Sequence, residues 1–244
     1  MLVGLTGVGG GSLMTPLLVL LFGFHPATAV GTDLLYASVT KSVGTVVHHQ
    51  GQTVDWKIVG GLASGSIPAA IVTLFAMSRF GATATHSPLI LNLLLGGALL
   101  LTSFAVFFRP WILRFAGDHL EGMTRRRVAR WTILLGAMLG VLVSITSVGA
   151  GALGTTALLI LYPKLPVARI AGSDIAHAVP LTLIAGIGHW LMGSVDFALM
   201  GALLVGSVPG IIIGSLLGSR SSDAVLRPIL AVTLLIVAVR LLIG

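Results

Sequence analysis

Lys41 stands in the apolar stretch YASVTKSVG, residues 36–44, and Ser38 shares its face one turn earlier. An ammonium at the centre of a bilayer costs about 2.5–3.5 kcal/mol on insertion scales, so it must face protein or water. The chemistry open to it there is attraction of an anion, with snorkelling or a structural pair as alternatives. Two further clusters offer anion chemistry without formal charge. One is Gly9, Gly10, Gly11, Ser12 and Thr15 in TGVGGGSLMTP, residues 6–16. The other is Gly149, Ala150, Gly151 and Thr155 in TSVGAGALGTT, residues 146–156. Glycine lets a ligand approach the backbone, a helix beginning there exposes N–H groups and its positive dipole end, and the hydroxyls add donors. The alternative reading of the glycines is close helix packing.

Other polar groups carry weaker signals. Asp33 and Asp174 follow Thr32 and Ser173, and Asp55 and Asp196 precede apolar runs. All four are expected as helix N-caps. This placement of the carboxylates at helix ends leaves a substrate anion as the counter-charge for Lys41. His48 and His189 are expected to cap helix ends, with a proton relay as the alternative. The adjacent His48 and His49 do not form a metal signature, because neighbouring helix residues point apart and no carboxylate cluster accompanies them. Ser64 and Ser66 in LASGSIP lack an elbow motif, and the sequence places no base beside them. The chain has no cysteine and no G-x-x-x-x-G-K-[ST] segment. No catalytic residue, metal or cofactor is expected, and the chain does not read as an enzyme. A passive anion channel and, more remotely, an intramembrane serine hydrolase are the competing functions.

The elements that hold these groups must lie in a membrane. Of the 244 residues, 56% are hydrophobic and 9% charged. A soluble domain carries about 25% charged residues, and apolar segments here are long enough to cross roughly 30 Å of hydrocarbon as helices. The net charge of +7 is not a nucleic-acid signature, since the basic residues flank apolar segments, where they set orientation. The N-terminus shows no basic region and cleavage site of the secretory type.

The sequence repeats itself. At an offset of 140, Thr6, Val8, Gly9, Gly11, Leu13, Thr15 and Pro26 fall on identical residues; at 141, so do Gly31, Asp33, His48, Val54 and Asp55, and GSIPA at 65–69 meets GSVPG at 206–210. Each copy holds a glycine-broken run (2–22 and 131–162) and three further helices: 33–49, 56–77 and 88–108, then 174–191, 197–218 and 224–243. The organisation is a first repeat over 1–108, a basic linker over 109–130 and a second repeat over 131–244. The counterpart of Trp131 would precede Met1, so the first copy is expected to lack part of its opening arm.

The run 131–162 is too long for one simple span, since a straight helix of that length extends roughly 46 Å. If it crosses and continues half-buried, eight basic residues lie inside (Arg109, Arg114, Arg125, Arg126, Arg127, Arg130, Lys57, Arg240) against five outside. If it is a re-entrant hairpin, Lys164, Arg169, Arg220 and Arg227 move inside, and the count is eleven against two, Arg79 and Arg240. The positive-inside rule favours the hairpin. The expected fold is therefore an all-α polytopic membrane protein of two inverted repeats, each with three transmembrane helices and one re-entrant hairpin. Such repeats are a feature of secondary transporters.

GVGGGSLMTPLLV with HPATAVGTDLLYASVTKSVGTVVHHQGQTVDW, and SVGAGALGTTALL with ARIAGSDIAHAVPLTLIAGIGHWLMGSVDF, resemble the two halves of the TauE/SafE sulfite-exporter family of bacterial permeases. The resemblance covers nearly the whole chain. It implies a permease of the bacterial inner membrane that moves sulfur-containing anions such as sulfite, sulfonates or sulfoacetate. The partners expected are that anion, membrane lipid and, as an assembly, a homodimer; no nucleic acid is expected.

Overall fold

The computed structural model describes residues 11–80, 88–113, 124–218 and 223–243. Its helices are α1 (Gly11–Phe22), α2 (Pro26–Gln50), α3 (Trp56–Phe80), α4 (Pro88–Phe107), α5 (Arg125–Thr146), α6 (Ala152–Leu161), α7 (Val167–Leu191), α8 (Phe197–Gly218) and α9 (Asp223–Ile243). No strand occurs among the described residues. Pro26 and Pro166 sit at the starts of α2 and α7, where a missing N–H costs nothing. Both helices thus begin about two turns before the expected starts at residues 33 and 174.

Four described helices are long and apolar enough to cross a membrane: Trp56–Arg79, Leu89–Phe107, Arg125–Thr146 and Val167–Leu191. Three coincide with expected spans. The fourth, α5, was expected only as an arm of a hairpin, yet its 22 residues extend about 33 Å. Large apolar side chains such as Val72, Phe75, Leu101, Phe104 and Leu191 are exposed, which suits helices whose outer surface meets lipid.

The core joins both halves of the chain. Leu34 of α2, Leu95 and Leu99 of α4, Val143 of α5, Leu181 of α7 and Leu234 of α9 are fully buried in one cluster. The packing also sets the helix directions. Gly61 of α3 faces Thr132 of α5, and Ser66 and Ala69 face Gly140, so α3 and α5 run the same way. A Cβ on Gly136 would collide with the Leu62 carbonyl, so these helices meet backbone to backbone. Ser66 meets His177, and Leu74 packs on Gly188, so α7 also runs with α3. Helix α2 runs against α7: Gly31 lies beside His189 and Ser194, while Gly172 lies beside His48 and Thr53.

These last contacts are reciprocal. Shifting Gly31, His189 and Ser194 by the repeat offset gives Gly172, His48 and Thr53. The same exchange relates two hydrogen bonds. Thr32 Oγ1 accepts from Asp196 N at 3.0 Å, and Ser173 Oγ accepts from Asp55 N at 2.8 Å. The expected caps at the next helices are present: Asp55 Oδ1 accepts from Lys57 N, and Asp196 Oδ1 from Leu199 N.

Candidate anion site at the glycine turn

Helix α5 ends in a left-handed residue, Ser147 at φ 56°, whose N–H returns to Val143 O at 2.8 Å. Gly149 and Gly151 follow at φ 115° and 131°, a region that side chains rarely tolerate. The helix breaks here and α6 begins, whose Thr155 N–H donates to Gly151 O. The break expected at residues 149–151 is therefore present.

Lys41 lies near the middle of α2 and is partly buried. Its Nζ donates to Ala150 O in the turn at 3.3 Å. This contact between Lys41 and the second glycine cluster was not specified by the sequence. Gly149, Ala150 and Gly151 line the buried turn. Ser38 is buried, but its hydroxyl donates to Leu35 O of its own helix and not toward the turn. Gly11 and Ser12 lie in the first turn of α1. Gly9 and Gly10 lie outside the described residues.

Thr15 and Thr155 occupy equivalent places in α1 and α6, and both hydroxyls are already engaged. Thr15 Oγ1 donates to Asp33 Oδ2 at 2.6 Å, and Thr155 Oγ1 to Asp174 Oδ2 at 3.1 Å. Asp33 also accepts from Ser147 Oγ at 2.8 Å, a bond from the second glycine turn. The two carboxylates are fully buried inside α2 and α7. The expectation that they are N-caps is corrected. Pro26 and Pro166 start the helices earlier, which moves Asp33 and Asp174 into helix interiors beside the short helices. Asp174 Oδ1 stands against Cα of Gly154 in the first turn of α6, where the positive end of that helix favours a carboxylate. Neither Asp33 Oδ1 nor Asp174 Oδ1 has a hydrogen-bond partner. The charge of Lys41 acts on both carboxylates, so the idea that only a substrate could offset it is also corrected.

A second polar pair was not foreseen. Ser66 Oγ on α3 lies 2.8 Å from His177 Nε2 on α7, and both are fully buried. By the repeat offset, Ser66 and His177 match Ser207 and Tyr36, and Tyr36 is hydrogen-bonded to Ser207. In each case the ring follows the buried aspartate by three residues, and the serine comes from the GS[IV]P segment of the other half. That pairing of segments is the signal that could have revealed it. His177 Nδ1 has no hydrogen-bond partner. Lys41 breaks the symmetry, because its counterpart Thr182 returns its hydroxyl to Ala178 O and Val179 O of its own helix.

The outer histidines behave differently from one another. His48 Nδ1 meets Thr53 Oγ1 at 2.8 Å at the end of α2, as expected of a helix-end group. His189 is buried, and its Nε2 reaches Ser144 O of α5 at 2.8 Å, so it ties two helices together and does not cap its own. Among the described residues no cluster of His, Asp or Glu is arranged to hold a metal ion.

Comparison with known proteins agrees with the family resemblance. The sequence profile of the sulfite exporter TauE/SafE family matches residues 1–241. The probable membrane transporter protein YjnA of Bacillus subtilis is 40% identical over 242 residues, which cover 99% of this chain and 94% of the relative. The probable membrane transporter protein YdhB of the same organism is 27% identical over 238 residues, 95% of this chain and 91% of the relative. No solved structure matches. A buried cation at a glycine turn, apolar outer faces and a profile match over almost every residue converge on one assignment: the chain belongs to the sulfite exporter TauE/SafE family of membrane transporters.

Proposed function

We propose that the chain is a secondary permease for small sulfur-containing anions such as sulfite, sulfonates or sulfoacetate, working by alternating access in the bacterial inner membrane. The observation that carries this reading is the Lys41 ammonium, near the middle of α2, meeting the Ala150 carbonyl in the glycine turn. A carbonyl is a weak partner for a buried cation, and an incoming oxyanion would replace it. The proposed site takes in the turn 149–151, Lys41 and the N-terminal ends of α1 and α6, with Thr15 and Thr155 reaching it through their aspartates.

The inverted arrangement is part of the proposal. Reciprocal contacts between antiparallel α2 and α7 support a two-fold axis perpendicular to both helices, which would lie in the membrane plane. Helix directions support the hairpin. Helices α5 and α7 run the same way with only α6 between them, and its 10 residues rise about 15 Å, half the hydrocarbon thickness. The turn they share touches Asp33 and Lys41 in the body of α2, so α5 would stop near mid-depth with its arginine-rich start in the headgroups. Residues 1–108 and 131–244 would then be the two repeats, with the basic segment 109–130 at the cytoplasmic face.

The test is a thermal-shift screen of purified protein against sulfite, thiosulfate, sulfate, sulfoacetate and taurine, with carboxylates as controls. A bound anion at a hundred times its Kd adds about 2.7 kcal/mol of stability. Saturable counterflow of the best anion in proteoliposomes is the expected sequel. No stabilisation by any sulfur anion, or an ohmic unitary current, would sink this reading.

A further inference from the structure

We infer that Asp174 is the proton carrier of this permease, taking up one proton for each monovalent anion that occupies Lys41. This inference rests on the transport reading above and names its coupling ion.

The argument begins with the charge within the site. Lys41 is influenced by Asp174 and by Asp33. The two carboxylates are not equivalent. Asp33 Oδ2 accepts from two hydroxyls, Thr15 at 2.6 Å and Ser147 at 2.8 Å, so two donors hold its charge whatever Lys41 does. Asp174 Oδ2 accepts from Thr155 alone, at 3.1 Å. The charge of Lys41 is the other favourable influence on it. With no substrate, Lys41 and Asp174 balance each other. When an anion engages Lys41, an ionised Asp174 is left beside a second negative charge, buried and with one donor. Burying a charge that way is costly.

A proton removes the conflict. Asp174 Oδ1 is fully buried and has no hydrogen-bond partner, so it can take the proton without breaking any bond. With Asp33 ionised throughout, the interior then goes from ammonium plus two carboxylates to ammonium plus anion plus one carboxylate and one carboxylic acid, with the same net charge in both states. Proton and anion enter together and leave together, and the substrate itself is unchanged. The other titratable groups nearby are Tyr36 on α2, bonded to Ser207 of α8, and His177 on α7, bonded to Ser66 of α3; α6 and the glycine turn contribute the hydroxyls of Thr155 and Ser147.

The experiment uses the whole chain in proteoliposomes with an internal pH dye. The probes are radiolabelled isethionate and methanesulfonate, which stay ionised and carry no proton of their own. The parent protein is expected to acidify the lumen during uptake and, with one pH unit imposed acid outside, to accumulate the sulfonate about tenfold. Asp174→Asn mimics the protonated state. It is expected to retain sulfonate exchange between equal concentrations while losing both acidification and accumulation. Uptake by the parent without proton movement would overturn the coupling and leave the transport reading standing; no uptake of either sulfonate would remove both. Full coupling in Asp174→Asn, or loss of exchange in a variant that melts like the parent, would also overturn it. So would loss of coupling in His177→Gln with coupling intact in Asp174→Asn, which would place the proton on the imidazole. Should Asp174→Asn fail to fold, the proton-to-anion ratio of the parent decides, and a ratio other than one overturns the proposal.

Discussion

The hydroxyl of Thr15 donates to Asp33 Oδ2 at 2.6 Å and fastens α1 to the second turn of α2. Hydrogen bonds to charged groups contribute about 1.5–3 kcal/mol. Thr15→Val keeps the shape and removes the donor, so it should cost a figure in that range, whereas Thr15→Ser should cost much less. Equilibrium unfolding in detergent measures both; equal stability of Thr15→Val and the parent would show that the bond contributes nothing.

Lys41→Met should destabilise the protein. Removing one partner of a buried charge pair costs about 3–5 kcal/mol when the other stays ionised; Asp174 can take up a proton instead, so the cost here should fall below that range. Adding Asp174→Asn removes that carboxylate, so the double variant should be more stable than Lys41→Met alone. A strictly additive cycle would disprove the pairing. Lys41→Met should also weaken binding of the best sulfur anion more than tenfold, about 1.4 kcal/mol or more by isothermal titration.

Glycines on the two sides of α3 should behave oppositely. A side chain on Gly136 of α5 would drive into the Leu62 carbonyl, and overpacking of this kind costs about 1–3 kcal/mol or more. Gly60 on α3 has nothing within 4 Å of where its Cβ would be. Gly60→Ala should therefore be neutral or raise stability by up to about 1 kcal/mol through helix propensity. Melting temperatures of Gly136→Val and Gly60→Ala in the same detergent compare the two directly.

The proposed hairpin makes a topological prediction. The chain has no native cysteine, so single cysteines report cleanly. Arg126→Cys and Lys164→Cys should both resist an impermeant thiol reagent in intact cells and both react in inverted vesicles. Labelling of Lys164→Cys from outside would mean that the run 131–162 crosses the membrane.

Some of this was readable in the sequence because it is written in local chemistry. Clustered glycines permit a break but do not force one, since Gly60–Gly61 and Gly96–Gly97 sit inside unbroken helices; the turn at 149–151 was legible from the repetition of its glycines and from a run too long for one span. A lysine among apolar residues must have a partner, but the sequence offered only a substrate anion, because the buried carboxylates were read as helix ends. The aspartates were misplaced because Thr32–Asp33 and Ser173–Asp174 imitate a cap. The true starts are Pro26 and Pro166, and only the packing of α1 and α6 explains why two carboxylates stand inside helices. The pairing of Ser66 with His177 escaped notice because they are 111 positions apart and the partner of each is supplied by the opposite half. In the first half the ring is a tyrosine, so no shared residue type marked the position.

The mutual clasp of Gly31 with Ser194 and Gly172 with Thr53 bears on how the protein is made. The first half leaves the ribosome well before the second, and until then Gly31 and Thr32 of α2 lack the partners they close against. Thr32 waits for Asp196, just as Asp55 waits for Ser173. Insertion of the early helices must therefore precede their final packing, and neither half is a self-sufficient folding unit. Co-expressed as separate fragments, the halves should survive proteolysis only as a pair.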